Sequence, residues 1–215
     1  MSPLGLYPII DVDSLRARNF SPIAFAERVL AARPGVLQLR AKSSNARDTL
    51  ALLRALAPIC QAAGCTLFAN DRPDLALLAG APGVHIGQHD LPIGEVRSVG
   101  PSLVVGVSTH TLTQLDAALA ERPAYVAFGP IYVTASKSDH EAPVGLDGLE
   151  RAHERASLAG VPLVAIGGVD LTRASAVGAH ADAAAVIGAL LPDDGNLDGV
   201  TARAEALHAA LLGTR

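Results

Sequence analysis

Two aspartates stand just past two successive apolar runs in the stretch from Leu67 to Pro92. Asp71 follows the first run and Asp90 the second, with the side-chain amides of Asn70 and Gln88 beside them. Carboxylates on neighbouring strands repel each other unless one is protonated or a cation lies between them. Mg²⁺ prefers one or two carboxylates together with water and substrate phosphate oxygens. The stretch therefore predicts a magnesium site, and it equally allows that each aspartate only caps the helix that follows.

Two cations lie in the segment QLRAK, which runs from Gln38 to Lys42. Since side chains alternate between the faces of a strand, Arg40 and Lys42 share one face, while Leu39 and Ala41 share the other. Arginine offers a planar fork of donors and lysine a mobile point charge, a combination that suits a diphosphate. The segment therefore predicts a diphosphate site, with two surface ion pairs as the simpler alternative.

A long connection, GPIYVTASKSDHEAPVGL, spans residues 129–146. Long loops in compact domains are usually functional lids or disordered segments. Its residues Thr134, Ser136 and Lys137 offer two hydroxyl groups and an ammonium group, a set suited to an anion. The charged residues at 139–141 are interpreted as solvated loop charge.

Glycines follow two later apolar runs, in AIGGVD and VIGAL. Gly167, Gly168 and Gly188 leave backbone N–H groups open to close approach by a phosphate. Paired glycines are also typical of a tight turn, so both interpretations stay open.

The histidines carry less information. His110, in GVSTHT, could act as a general acid, and a helix-capping or merely exposed role is equally compatible with its position. His85 is expected in the core or half-buried. No Ser-His-Asp order, HExxH or P-loop motif occurs in the sequence.

Short apolar runs alternate with segments of helical period along the chain. The runs mostly lack apolar/polar alternation, as parallel strands covered on both faces do. About eight strand–helix pairs of roughly 25 residues match a compact (β/α)8 barrel, whereas the GxGxxG turn of the competing doubly wound sheet is absent. We predict a single TIM-barrel catalytic domain over residues 1–215. Its predicted strands are Leu6–Val12, Val36–Ala41, Thr66–Asn70, Gly83–Gly87, Leu103–Ser108, Tyr125–Gly129, Pro162–Gly167 and Ala183–Ile187.

The intervening segments show helix signals. Ser21–Pro22 is typical of a helix start, with serine as N-cap and proline in the first turn. An apolar stripe at helical spacing consists of Leu50, Leu53, Leu56, Ala57 and Cys60. In TIM barrels the chemistry lies at the carboxyl ends of the strands, so the polar residues after each predicted strand should converge.

The composition excludes several classes of protein. A net charge of −4 gives no basic field for nucleic acid or anionic lipid, and 3% aromatic residues without Trp argue against a base-stacking binder. The core must then consist of Ala, Leu, Val and Ile. No apolar run reaches the roughly 18 residues of a membrane span, and the first residues lack a basic signal region. Cys60 and Cys65 match no redox or zinc motif, so we expect buried thiols in a cytoplasmic protein.

A set of motifs recurs in order from the first predicted strand to the last: LYPIID, QLRAK, ANDRPDLAL, GVHIGQHDLP, GVSTHT, FGPIYVTASK, PVGLDGL and VAIGGV. Each motif is weak alone, but their joint order and spacing are specific. With them the chain resembles the thiamine-phosphate synthase family. The resemblance implies a transferase of thiamine biosynthesis that joins 4-amino-2-methyl-5-hydroxymethylpyrimidine diphosphate to a thiazole phosphate. In the reaction that the resemblance implies, diphosphate departs first and leaves a pyrimidine methyl cation, which the thiazole nitrogen captures.

The resemblance also implies roles for residues at matching positions. Asp71 and Asp90 would hold Mg²⁺. The pyrimidine diphosphate would contact Gln38, Arg40, Lys42, Asn70, Ser108 and Lys137, of which Arg40, Lys42, Ser108 and Lys137 are the candidate catalytic residues. The thiazole phosphate would contact Thr134, Ser136, Gly168, Ile187 and Gly188. The neighbouring Leu39, Ala41 and Ala135 complete the substrate-binding segments.

Three positions depart from the family pattern. Gly188 stands where the family usually has Ser, Ser136 where Thr is common, and IIDVD where the first strand often ends in VTD. The loss of a hydroxyl at residue 188 bears on the affinity for thiazole phosphate more than on the reaction itself.

Two other functions are compatible with such a barrel. A thiazole tautomerase is a related barrel that uses a histidine at a position like His110, but it commonly lacks the paired aspartates and the lid lysine. A barrel that only senses thiamine precursors is the non-enzymatic alternative. The sequence leaves the oligomeric state open, so a homo-oligomer is compatible with it.

Overall fold

Eight parallel strands close into a barrel, in which each strand pairs with the next and the last pairs with the first. The computed structural model of the chain describes residues 3–134, 142–192 and 195–213. The strands are β1 (Gly5–Asp11), β2 (Val36–Arg40), β3 (Thr66–Asn70), β4 (Gly83–Ile86), β5 (Val104–Thr109), β6 (Tyr125–Phe128), β7 (Leu163–Ile166) and β8 (Ala183–Val186). The predicted (β/α)8 barrel is confirmed, and every strand end lies within one residue of its predicted position.

Helices alternate with the strands. They are α1 (Val12–Arg16), α2 (Pro22–Leu30), α3 (Ala46–Ala62), α4 (Pro73–Ala79), α5 (Ile93–Val99), α6 (Leu112–Ala120), α7 (Gly145–Ala159), α8 (Leu171–Gly178), a 3-10 helix (Gly188–Leu190) and α9 (Val200–Leu212). The predicted start of α2 is confirmed, because Ser21 Oγ accepts a hydrogen bond from the N–H of Ala24 at 3.3 Å. Among the described residues, no helix has the length and apolar character needed to cross a bilayer.

The larger part of the core joins the strands to the helices. It is mostly aliphatic, as predicted, and the stripe of α3 contributes Leu53, Leu56 and Cys60 to it. Cys60 and Cys65 are both buried and unbridged, which confirms their expected state. This layer fixes each helix on its strand, so that the loops after the strands lie at one end of the barrel.

The interior of the barrel differs from the expected aliphatic core. Tyr7, Phe68 and Tyr125 are fully buried, and their ring centroids lie 5.4 to 6.2 Å apart. Glycines in two strands make room for the rings, since a Cβ on Gly83 would lie 2.5 Å from Phe68 and one on Gly106 would lie 2.0 Å from Tyr125. Three of the seven aromatic residues of the chain thus fill the barrel interior.

Candidate functional site

Arg40 is held by a buried ion pair at the carboxyl ends of the first two strands. Its Nη1 donates a hydrogen bond to Asp11 Oδ2 at 2.5 Å, and Asp11 is only 4% exposed. The second oxygen of Asp11 accepts a hydrogen bond from the N–H of Ser14 at 2.9 Å and caps α1. The surface-pair interpretation is therefore wrong for Arg40, whose guanidinium is oriented by a carboxylate that the first helix also fixes.

Lys42 reaches across to the loop after the third strand. Its ammonium group donates a hydrogen bond to Asp71 Oδ2, and it remains 53% exposed. Asp71 has a φ of 62°, in the left-handed region, and its N–H donates to the carbonyl of His85 at 2.8 Å. The helix that follows begins at Pro73 without any side-chain cap. The capping interpretation is therefore wrong for Asp71, whose carboxyl group faces a cation instead.

Asp90 closes the turn that follows β4. Its Oδ2 accepts a hydrogen bond from the N–H of Gly87 at 2.7 Å. Helix α5 begins at Ile93 without a side-chain cap, so the capping interpretation is wrong for Asp90 as well. The turn instead fixes the Asp90 carboxyl group at the rim, within reach of Asp71.

The carboxyl groups of Asp71 and Asp90 are close enough to influence each other. Burial raises the pKa of Asp71, the Asp90 carboxyl raises it further, and the Lys42 ammonium opposes both effects. Both aspartates line one cleft of about 500 Å³. Paired carboxylates of this kind fit a divalent cation that takes its remaining ligands from water and substrate. The described residues contain no cluster of three or more His, Cys, Asp and Glu side chains that could hold a metal ion.

A chain of hydrogen bonds crosses the barrel beneath the rim. Gln38 Nε2 donates to the hydroxyl of Tyr7 at 3.1 Å, and this hydroxyl lies 2.7 Å from that of Tyr125. The Tyr125 hydroxyl lies 2.8 Å from His85 Nδ1, and His85 Nε2 lies 2.7 Å from Ser108 Oγ. The chain therefore ends at Ser108, one of the predicted substrate contacts.

Sequence reasoning missed most of this chain. Burial raises the pKa of the phenol groups of Tyr7 and Tyr125 well above the usual range, so both keep their protons. His85 is 8% exposed and confirms its expected place in the core, but its contact with Ser108 was not foreseen. A usable signal was the position of His85 between Val84 and Ile86, since period-2 geometry turns it to the opposite face of β4 from its apolar neighbours.

The glycines after β7 form a tight turn against the loop after β6. Gly167 and Gly168 have φ angles of 92° and 68°, and a Cβ on Gly168 would lie 2.7 Å from the carbonyl oxygen of Val133. Arg173 Nη1 donates to the carbonyl of Gly168 at 2.7 Å, and its guanidinium lies 4.5 Å from the ring centroid of Tyr132. The tight-turn interpretation is confirmed, and the phosphate site at this turn stays a prediction.

The glycine after β8 starts the 3-10 helix, which places a short helix N-terminus at the predicted phosphate position. Ile187 directly precedes this helix and is partly buried. Thr134 is half-buried at the end of a described segment. The predictions for Ala135, Ser136 and Lys137 fall outside the described residues, as does the loop charge at 139–141.

The remaining predicted residues lie near the same rim. Leu39 is buried between barrel and helices, Ala41 packs partly against that layer, and Asn70 ends β3 opposite His85. His110 Nδ1 lies 2.6 Å from the carbonyl oxygen of Gly129, so this nitrogen carries the proton. The N-cap of α6 is the next residue along, which shows that the His110 side chain does not cap that helix.

Known proteins resemble the chain in sequence. The family described as thiamine monophosphate synthase matches residues 6–190. A thiamine-phosphate synthase of Chloroflexus aurantiacus is 35% identical over 211 residues, covering 98% of this chain and 94% of that protein. A thiamine-phosphate synthase of Koribacter versatilis is 41% identical over 196 residues, with coverages of 87% and 89%.

A solved structure resembles the chain in fold. The thiamine phosphate pyrophosphorylase of Pyrococcus furiosus superposes with a TM-score of 0.85 at 25% identity, covering 98% of this chain and 96% of that one. The family match spans the barrel and reaches from β1 to the end of the 3-10 helix. The chain belongs to the thiamine monophosphate synthase family.

Proposed function

We propose that the chain is a thiamine-phosphate synthase, which joins the pyrimidine diphosphate to the thiazole phosphate and releases diphosphate. The observation that carries this proposal is the meeting of Lys42, Asp71 and Asp90 at one rim of the barrel. Arg40 ends the strand that precedes Lys42 and is held there by Asp11. The family match and the synthase relatives support the same reaction.

Arg40 is suited to bind the outgoing diphosphate. Its ion pair with Asp11 fixes the guanidinium before any substrate arrives, so little side-chain freedom is lost on binding. Positive charge that is already oriented stabilises a leaving group as negative charge accumulates on it. Lys42, which is more exposed, is free to shift from Asp71 toward the substrate.

Asp71 and Asp90 are the residues that would hold Mg²⁺. Their shared cleft and mutual effect on the Asp71 pKa support this assignment. When bound, Mg²⁺ supplies positive charge to phosphate oxygens and so lowers the cost of their departure. The turn at Gly87 holds the Asp90 carboxylate in place.

The reaction requires no protein nucleophile, since the diphosphate departs before the thiazole nitrogen attacks. The protein must bind both substrates in the orientation that the reaction needs and must stabilise the leaving diphosphate. It must also hold the thiazole phosphate on the far side of the rim. The turn at Gly168 and the helix start at Gly188 support the last role, because both offer backbone N–H groups. The buried, unbridged thiols of Cys60 and Cys65 support a cytoplasmic setting for this chemistry.

The test is release of diphosphate by the purified protein with both substrates and Mg²⁺. We expect thiamine phosphate and diphosphate to form in equal amounts, and neither to form when one substrate is omitted. A precursor sensor would bind without turnover. A tautomerase would convert a thiazole carboxylate without any pyrimidine diphosphate, so the assay with the carboxylate alone separates the two enzymes.

A further inference from the structure

The hydrogen-bond chain beneath the rim has a direction that can be worked out from its first donor. The side-chain nitrogen of Gln38 can only donate, so the oxygen of Tyr7 accepts at 3.1 Å. Tyr7 is 1% exposed and keeps its proton. Within the described residues its one other hydrogen-bond partner is Tyr125, so the Tyr7 proton points to the Tyr125 oxygen. The opposite arrangement would leave a buried hydroxyl proton without an acceptor, which is costly.

The direction of the hydrogen-bond chain also fixes the tautomer of His85. Since Tyr125 accepts from Tyr7, its own proton must go to His85 Nδ1 at 2.8 Å. That nitrogen is then an acceptor, and the neutral ring carries its proton on Nε2. A doubly protonated ring would place two donors face to face at Tyr125.

The last bond determines what the serine can do. His85 Nε2–H donates to Ser108 Oγ at 2.7 Å, so the Ser108 oxygen is already engaged as an acceptor. Its hydroxyl proton is therefore directed away from the ring. Ser108 lies near the end of β5 at the rim, and within the described residues its Oγ has no second partner.

We propose that His85 is a positioning residue, and that the chain from Gln38 through Tyr7 and Tyr125 holds its Nε2–H tautomer so that Ser108 presents a hydrogen-bond donor to an anionic oxygen of the bound substrate. The identity of that oxygen, on the pyrimidine diphosphate, rests on the proposed function. The proton order does not, because it is a property of the barrel interior itself.

The first test is therefore made without substrate. In protein labelled with ¹⁵N at histidine, long-range ¹H–¹⁵N correlations report which ring nitrogen of His85 carries the proton. We expect a protonated Nε2 and an unprotonated Nδ1. A proton on Nδ1, or a doubly protonated ring at neutral pH, would overturn the proposal.

A variant of the first donor tests the cause of the order. Gln38→Glu replaces the donor by an acceptor of the same shape, so Tyr7 would donate outward and every later bond would reverse. We expect the His85 proton to move to Nδ1 in this variant. An unchanged Nε2–H tautomer in a folded Gln38→Glu protein, with the carboxylate introduced at this position shown by ¹³C NMR to be ionised, would show that Gln38 does not set the direction.

The second test concerns catalysis. Loss of one preorganised donor in Ser108→Ala should lower kcat roughly 100-fold. If His85 acts through Ser108, then His85→Gln lowers kcat in the unchanged background but has little effect in the Ser108→Ala background. Losses that multiply in the double variant would overturn the positioning role.

The two tests separate the two proposals. An Nε2–H tautomer in a protein without synthase turnover would sustain the proton order while refuting the proposed function. Full turnover in a protein whose His85 carries its proton on Nδ1 would sustain the proposed function while refuting the proton order. The melting temperatures of the single variants identify any loss that comes from misfolding.

Discussion

Lys42 donates a hydrogen bond to the carboxylate of Asp71, although the two residues follow different strands of the barrel. Asp71 therefore has a cation beside it, and a second carboxyl group from Asp90 in the same cleft. The ammonium opposes the rise in the Asp71 pKa that burial and Asp90 cause. Lys42 thus supplies part of the charge compensation that the proposed Mg²⁺ would supply at this pair of carboxyl groups.

Lys42→Met should weaken substrate binding with little effect on stability. Because hydrogen bonds to charged groups contribute about 1.5–3 kcal/mol, the KM for pyrimidine diphosphate should rise roughly tenfold or more. The lysine is 53% exposed, so the free energy of unfolding should change by less than about 1 kcal/mol. Steady-state kinetics and urea unfolding measure the two quantities. Arg155→Met, which breaks an exposed ion pair with Asp116, is the control and should leave KM unchanged.

Asp90→Asn should disable catalysis while the turn persists. The asparagine oxygen can still accept from the N–H of Gly87, but the negative charge is lost. We expect Mg²⁺ activation to shift to higher concentrations and the rate at limiting Mg²⁺ to fall roughly 100-fold or more. The readout is diphosphate release over a Mg²⁺ series.

Asp74→Asn is the matched control for that experiment. Asp74 lines the same cleft, but it is half exposed and paired with Arg72. The Asp74→Asn variant should release diphosphate at the same rate, and with the same dependence on Mg²⁺, as the unmodified protein. Equal effects of Asp74→Asn and Asp90→Asn would indicate general electrostatics of the cleft rather than a metal ligand.

Asp11→Asn should reduce both stability and activity through Arg40. Asparagine still caps α1, but it leaves the nearly buried guanidinium without a negative partner. Breaking a buried pair on one side costs about 3 kcal/mol, and kcat/KM for the pyrimidine diphosphate should fall roughly tenfold, as expected when one oriented charge is loosened. Urea unfolding and initial rates are the measurements, with Asp116→Asn as the surface-pair control. An Asp11→Asn variant as stable and active as the parent would show that Asp11 does not orient Arg40 for substrate binding.

The barrel was predictable from the sequence because each of its strands has its own local sequence signal. A strand covered on both faces is a short apolar run, and the polar residue that ends it belongs to the rim, as Arg40 and Asn70 do. Each of these signals is local. Strand ends were therefore predicted to within one residue, without any knowledge of which strand faces which.

Hydrogen bonds between side chains of different strands were not predictable from such local signals. The hydroxyls of Tyr7 and Tyr125 are 118 residues apart in sequence and meet only because the sheet closes. Low aromatic content suggested an aliphatic core, yet Gly83 and Gly106 within strands were a sign of close approach by large side chains. Likewise, Asp71 resembles an N-cap in sequence, and only its left-handed φ turns it away from the helix.

Gly188→Ser should be tolerated, and it should tighten thiazole phosphate binding or leave it unchanged. Gly188 is not among the glycines with positive φ in the described residues, so a side chain meets no backbone strain there. A hydroxyl at the start of the 3-10 helix adds a donor near the predicted phosphate. Isothermal titration with thiazole phosphate measures the affinity.

Gly168→Ser is the contrasting variant. The φ of Gly168 is 68°, and the carbonyl oxygen of Val133 lies 2.7 Å from the position that a Cβ would take, so a side chain has no room there. We expect a loss of about 1–3 kcal/mol in the free energy of unfolding, the usual cost of a residue held in a sparsely populated conformation. A marked loss of phosphate affinity in Gly188→Ser, with Gly168→Ser unaffected, would reverse the roles given to the two loops.

The stability of the barrel should fall on mild acidification because of His208. Its Nδ1 accepts a hydrogen bond from the N–H of Leu6 at 3.2 Å, and burial lowers its pKa below the ordinary value of 6.5. The unfolded chain then binds a proton more readily than the folded one, so stability is complete above pH 6.5 and declines as the pH falls below it. Urea unfolding between neutral pH and pH 5 should show this decline, and His208→Gln should reduce it. A slope that stays the same in His208→Gln as in the parent protein would assign the acid sensitivity to other groups.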